Sequence, residues 1–269
     1  MKLKELPLSI FKTLALKNKQ TTALKEGKNK TVPVIVSLTS IPYRLKKVHI
    51  TIRSILNQSV SPEKIILWLH EDLKNKIPKS LKILEGNIFE IRYTHLHCSH
   101  KKLIHTLKLY PENVIVTCDD DFIYDEEWLE KLYNEHLINQ KDIVGNQTRQ
   151  IKYDSHGELL PYKEWISTSN PNPKTILPIG AAGILYPPNS LDKRVFSEDL
   201  FLKLCPKADD LWFKAMAILQ NTNARQTKNP PRLIPIAGTQ SVSLKNENIK
   251  KDYNKVQWQQ LVNYFNLQY

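Results

Sequence analysis

Apolar and polar positions along this chain fall into blocks that alternate between two periods. Val34-Ile35-Val36-Ser37-Leu38 is a near-continuous β-branched run, the pattern of a strand buried on both faces. Pro42 breaks it, because proline cannot donate to a ladder and restrains the residue before it. From about Leu45 to Gln58, Val48, Ile52, Ile55 and Leu56 recur on one helical face. A second strand is predicted over Lys64 to Leu69, running out into His70-Glu71-Asp72. A polar helical piece from Pro78 to Leu84 and a short strand from Phe89 to Tyr93 follow. A helix from Lys101 to Leu109 precedes a fourth strand, Val114 to Thr117. An amphipathic helix then starts near Glu126, with Trp128, Leu129 and Leu132 on its apolar side. Strands alternating with helices predict an α/β fold: a mixed, mostly parallel sheet flanked by helices on both faces.

The second half is less regular. Asp142 to Gly145 reads as a strand and residues 146–176 as a long polar loop, of the size that usually serves function. PIGAAGILYPP, residues 178–188, reads as a small-residue strand in which Gly180 and Gly183 permit close backbone approach. CPKADDLWFKAMAIL starts a helix with Asp209 as N-cap and Trp212, Ala215, Met216 and Leu219 as its apolar stripe. A last helix is expected from Val256 to Phe265. The organisation expected is a basic arm (residues 1–30), one domain (31–240) and a C-terminal helical tail (241–269).

In the arm, Leu3, Leu6, Ile10, Phe11 and Leu14 fall at helical spacing among Lys2, Lys4, Lys12, Lys17 and Lys19, and Pro7 sets the helix start near itself. Two readings stand: a short interfacial helix on an anionic membrane, or a helix packed on its own domain.

The chain has 269 residues, 41% hydrophobic and 25% charged, the balance of a soluble globular protein, and no apolar run approaches a membrane span. Cys98, Cys118 and Cys205 are odd in number and lack metal spacing, which fits free thiols in a reducing compartment. Lys12 interrupts the short apolar run near the start and no small-residue cleavage site follows, so the expected location is the cytoplasm, with peripheral attachment to the inner membrane face. The net charge of +12 calls for an anionic partner. The lysines are scattered, and no finger, homeodomain or RNA-recognition signature is present, so nucleic acid is not the expected partner. Substrate phosphates and an anionic membrane surface account for the charge.

Three consecutive carboxylates, Asp119, Asp120 and Asp121, end the fourth strand. They repel one another and need a cation to offset them. Strand alternation would put Asp119 and Asp121 on one face, able to hold a divalent cation through oxygen, with Asp120 pointing away. Ligands of open α/β sheets bind at the carboxyl ends of the strands, where this motif lies. The first strand's end carries Thr39, Ser40 and Arg44, whose planar fork suits a phosphate unless it is only a surface arginine. Lys101 and Lys102 open a helix whose N-terminus could meet a diphosphate, unless they are only solvated. His95, His97, Cys98, His100 and His105 cluster, but no second ligand pair stands at finger spacing, so they read as a polar loop rather than a zinc site. Asp209 and Asp210 form a second carboxylate pair, expected to cap their helix or to act as an acid–base group.

SLTSIPYR after the first strand, IILWL in the second, a lysine-bearing helix, VTCDDDFIYDEEWLEKL, PIGAAGILYPP and ADDLWF occur in that order. The set resembles the bacterial sugar-nucleotide glycosyltransferases of the GT-A fold, of the lipopolysaccharide and capsule type, over roughly residues 31–240. The resemblance implies a nucleoside-diphosphate sugar donor, a lipid-linked or oligosaccharide acceptor, and Mn²⁺ or Mg²⁺ at a DXD-like motif. It assigns Asp119 to the ribose and Asp121 to the metal, with Asp120 beside them. Thr39, Ser40 and Arg44 go to the nucleotide, and Lys102 rather than Lys101 to the diphosphate. It places the base of an inverting transfer at Asp210, with Asp209 where a Glu is usual, next to an acceptor pocket past Gly180 and Gly183. The helix dipole is expected to keep Asp210 ionised at neutral pH. Two other functions remain open on the residues alone. A metal-dependent nucleotidyl- or phosphotransferase would also use paired aspartates, although no P-loop is present; a non-catalytic binder of anionic polymers would use the positive charge.

Overall fold

A computed structural model of the chain describes residues 3–167, 171–240 and 251–268. Readings that fall on Lys2, on the side chain of Leu3, on 168–170 of the long loop and on 241–250 of the tail lie outside the described residues.

The first half folds as its pattern predicts. Strands β1 (Thr31–Thr39), β2 (Ser61–His70), β3 (Phe89–Thr94) and β4 (Val114–Thr117) pair in parallel in the spatial order β4-β1-β2-β3. Alternate residues of β1 feed opposite cores. Val34, Val36 and Leu38 pack with helix α3 (Val48–Leu56), and Ile35 packs with Leu103 and Ile104 of α5 (Lys101–Leu109). Burial on both faces is why the strand reads as a continuous apolar run, and each fully buried aliphatic side chain stabilises by roughly 1.5–3 kcal/mol. The chain steps from β1 out to β3 and then returns to place β4 on the other side of β1. That reversal opens a crevice beyond the carboxyl ends of β1 and β4.

The second half departs from prediction. Residues 178–188 are not one strand. β8 (Ile176–Pro178) belongs to a small sheet with β7 (Thr148–Gln150), a 3₁₀ turn covers Gly180–Ala182, and β9 (Ile184–Tyr186) enters the main sheet antiparallel to β4. Gly183 makes the break, with φ at +100°. β6 (Ile143–Gly145) and β10 (Ala224–Gln226) complete a seven-stranded sheet in the order β10-β6-β9-β4-β1-β2-β3. It is mixed, mostly parallel and flanked by helices. β5 (Phe122–Ile123) pairs separately with β11 (Ile234–Pro235), antiparallel. The predicted long loop is packed rather than loose: Ile151, Leu159, Tyr162 and Trp165 are buried in it.

Helix α6 (Trp128–Ile138) begins slightly later than expected, and the tail helix α9 (Tyr253–Phe265) slightly earlier. The arm and the tail are not loose appendages. Helix α1 (Leu6–Asn18), with its proline in the first turn, lies on α3 and β11, and α2 (Thr21–Glu26) buries Leu24. α9 buries Trp258 and Leu261 against α7 (Glu198–Leu204) and α8 (Asp209–Leu219).

Candidate active site

The DDD motif lies in a turn, because β4 stops at Thr117. Strand alternation therefore does not apply, and the expected sharing of sides is overturned. Asp120 and Asp121 both pair with Arg44, through Oδ1 at 2.7 Å and Oδ2 at 2.9 Å, while Asp119 pairs with Lys102 at 2.9 Å. The turn is held by its backbone. Thr51 of α3 donates to the carbonyl of Asp120 or Phe122, each at 2.9 Å, and the Ile236 N–H donates to the Asp121 carbonyl. The Tyr124 hydroxyl accepts from the Asp119 N–H at 3.0 Å. A chain that turns back on itself here can aim three carboxylates at two different cations.

Each cation comes from another element. Arg44 ends the 3₁₀ turn that Pro42 starts after β1, and its Nε also reaches the Thr239 carbonyl at 3.2 Å. Ser40 donates to Asp120, so it acts on the motif itself. Thr39 donates to the Trp68 carbonyl at 2.8 Å and ties the end of β1 to β2. Lys102 is buried in the first turn of α5. Its Nζ bridges Asp119 at 2.9 Å and Asp209 Oδ2 at 3.0 Å, the latter an ion pair without good hydrogen-bond angles. Burial opposes its charge, but Asp119, Asp209 and Asp210 together hold it well above the ordinary lysine range. Lys101 turns away from the motif and donates to the Leu96 carbonyl.

Neither member of the second carboxylate pair caps its helix. Ala208 occupies the N-cap position of α8, and no side chain caps it. Asp209 is taken by Lys102 and by the Ser99 hydroxyl at 2.8 Å; burial pushes its carboxyl up, but Lys102 overcomes this and holds it below the usual range. Asp210 accepts from the Gly180 N–H at 3.0 Å. The expectation that the helix dipole keeps it ionised is not met: burial, then the charge of Asp209, push it up to about 7. Burial and the neighbouring Asp119 likewise push Asp121 up to about 7. The two glycines also separate. A Cβ on Gly180 would stand 2.8 Å from Asp210 Oδ1 and 3.1 Å from Lys102 Nζ, so this glycine admits the charged pair. A Cβ on Gly183 would stand 2.7 Å from the Trp128 indole, so Gly183 serves the packing of α6.

Beside Asp209 and Asp210 a cavity of about 120 Å³ is lined also by Tyr162, Ile179, Lys207 and Asn254. Sequence reasoning missed Tyr162, Asn254, Ser99 and Gln240, whose amide donates to Asp121 Oδ2 at 2.8 Å. Isolated polar residues far apart in sequence carry no periodic signal. The histidine loop is dispersed: His100 is buried against Phe201, His105 meets the Thr94 hydroxyl, and His97 stacks on His70 beside Asp72.

Five carboxylates, Asp119, Asp120, Asp121, Asp209 and Asp210, thus face the two cations Arg44 and Lys102. Burial first, and then the surplus negative charge, push two of the carboxyls up to about 7. Carboxylate oxygens are the ligand type a hard divalent cation takes, and here Arg44 and Lys102 engage four of the five groups.

No curated protein matches the sequence significantly. Among solved structures, the 4-diphosphocytidyl-2C-methyl-D-erythritol synthase of Anaerococcus prevotii DSM 20548 aligns over 88% of this chain and 99% of its own, at 14% identity and a TM-score of 0.45, a likeness too distant to bear on function. The sequence profile described as glycosyl transferase family 2 matches residues 44–201, more than half of the chain. Arg44, Lys102, the DDD turn and Gly180 lie inside that span, while Asp209, Asp210 and Asn254 lie beyond it. With its mixed sheet and its carboxylate-lined crevice, the chain belongs to glycosyl transferase family 2.

Proposed function

We propose that the protein transfers a sugar from a nucleoside-diphosphate donor to a hydroxyl of a glycan precursor, lipid-linked or oligosaccharide, with inversion at the anomeric carbon. Family membership supports the general reaction, and the position of Asp210 carries the finer reading. This carboxylate lies on a different helix from the DDD turn, borders a cavity, and is pushed up to about 7. A group of that basicity can take a proton from an attacking hydroxyl at neutral pH. Its Oδ2 is fixed by the Gly180 N–H, which leaves Oδ1 for the acceptor proton.

The other residues divide the work. Thr39, Ser40 and Arg44 line the nucleotide side, where Ser40 and Arg44 hold Asp120 in place. Lys102 stands between the donor turn and the base helix and supplies positive charge toward the departing diphosphate. Mn²⁺ or Mg²⁺ would be held by Asp121, and would neutralise charge on the diphosphate.

Replacing Asp210 tests this assignment. Asp210→Asn keeps the Gly180 contact but removes the base, so donor affinity should stay within a few-fold while turnover falls roughly 10²-fold or more. Normal turnover in that variant, or a product that keeps the donor's anomeric configuration, would rule the reading out.

A further inference from the structure

Helix α1 has two sides, and the sugar-transfer site uses neither. Its inward side is anchored. Leu16 is buried, and the Ser9 hydroxyl donates to the Pro235 carbonyl at 2.7 Å and accepts from the Ala237 N–H at 3.1 Å. Arg53 of α3 holds the carbonyls of Leu16 and Lys19 at 3.1 and 3.0 Å. The outward side is apolar and open: Ile10 is 46% exposed, Phe11 67% and Leu14 54%, with Pro7 exposed one turn earlier. These residues sit at helical spacing, so they form one patch on a helix that the domain holds rigidly.

The rim of the patch is cationic. Helix α1 itself contains no carboxylate. Lys4 and Lys17 are exposed at its two ends and form no ion pair with a carboxylate among the described residues. Of the carboxylates nearby, Glu5 stands beside Lys4 at the start of the helix, Asp125 is engaged by Lys12 at 3.5 Å and Glu126 by Lys19 at 3.7 Å. Positive charge is dense enough at this end that Lys17 and Arg53 add to the effect of burial in lowering His49 to about 4. A rigid apolar ridge with a basic rim matches one kind of surface: an interface with acyl chains below and anionic headgroups beside it.

We propose that the Pro7, Ile10, Phe11 and Leu14 face of α1 seats in the headgroup region of an anionic bilayer, with Lys4 and Lys17 against the lipid phosphates. The inference rests on α1 alone and does not require the sugar-transfer reading. It does connect to the site: Ser9 holds the segment that runs on through Thr239, which meets Arg44, to Gln240, which meets Asp121.

The test is sedimentation of the full chain with vesicles of phosphatidylglycerol and phosphatidylcholine, and with vesicles of phosphatidylcholine alone, in the absence of any donor. The wild type should bind the anionic vesicles and leave the neutral ones. Phe11→Ser with Leu14→Ser should weaken binding about tenfold or more, since both side chains lose their apolar burial. Lys4→Gln with Lys17→Gln should weaken it about 30-fold, at the usual contribution of one lysine near an anionic surface. The replaced side chains are exposed, so thermal melting should be unchanged and loss of binding is not loss of fold. Absence of wild-type binding to anionic vesicles overturns the proposal, as does equal binding by the serine variant. A dimer in light scattering that the serine variant converts to monomer also overturns it, because a second copy then covers the face. Sugar transfer is measured separately and would survive any of these results.

Discussion

Asp209 and Asp210 are adjacent in sequence and opposite in state. Asp209 is buried and Asp210 half-buried, yet Lys102 and Ser99 hold the first below the usual carboxylate range, while the second, which accepts from the Gly180 N–H, rises to about 7. The difference gives a pH signature. As the proposed base, Asp210 must be deprotonated to act, so kcat/KM should rise with pH through about 7 and level off above it. The charge of Asp209 is the second cause of that position, after burial. Asp209→Asn removes it, so the acid limb of the profile should move to lower pH. A limb that stays in place when the profiles of both proteins are compared would mean that Asp209 does not tune its neighbour. Lys102 is the shared partner, and its two ion pairs link the DDD turn to helix α8.

At the scale of elements, the turn from β8 to β9 does two separate jobs with two glycines. Gly180 brings the backbone against Asp210 and Lys102, whereas Gly183, at φ +100°, lets Trp128 of α6 pack where a side chain would otherwise be. Substitution should therefore split activity from stability. Gly180→Ala should cut turnover at least tenfold, because its methyl displaces Asp210 Oδ1, while melting stays near that of the wild type. Gly183→Ala meets an aromatic ring and an unfavourable φ, and should cost roughly 1–3 kcal/mol or more in stability. Thermal melts and initial rates on the two variants settle it; a Gly183→Ala protein that melts normally and loses acceptor use would restore this glycine to the pocket. The tail helix α9 works in the same double way. Trp258 and Leu261 anchor it on α8, and Asn254 at its start reaches the cavity beside Asp210.

For the whole molecule, the surplus of carboxylates over cations in the crevice predicts cooperation between donor and metal. A panel of nucleoside-diphosphate sugars with Mn²⁺ should include one that raises Tm, since a ligand at about 100 times its Kd stabilises the native state by about 2.7 kcal/mol. Chelation, or Asp121→Asn, should abolish the rise; an undiminished rise in chelator would show that Arg44 and Lys102 suffice for the diphosphate. Much of this architecture is legible in the chain's own pattern. The apolar runs of β1, β2 and β4 and the helical spacing of α5 and α8 are local signals, and they place the DDD motif and the Asp209-Asp210 pair at element ends. Their period is imposed by burial, which acts on each segment wherever it ends up in space. The pattern puts Arg44, the Lys101-Lys102 pair and the Asp209-Asp210 pair at the ends of buried elements, where charged residues need partners or functions; the choice of Lys102 and Asp210 within their pairs comes from the family resemblance and not from any period in the chain. What tertiary structure alone decided is who partners whom. Arg44 spans Asp120 and Asp121, Lys102 spans Asp119 and Asp209, Gly183 yields to Trp128, and Tyr162, Asn254 and Gln240 arrive from distant segments. Those choices depend on turn geometry and on burial in a shared, low-dielectric crevice. Neither leaves a period in the sequence, which is why the strand-alternation rule misplaced Asp120 and the helix dipole misjudged Asp210.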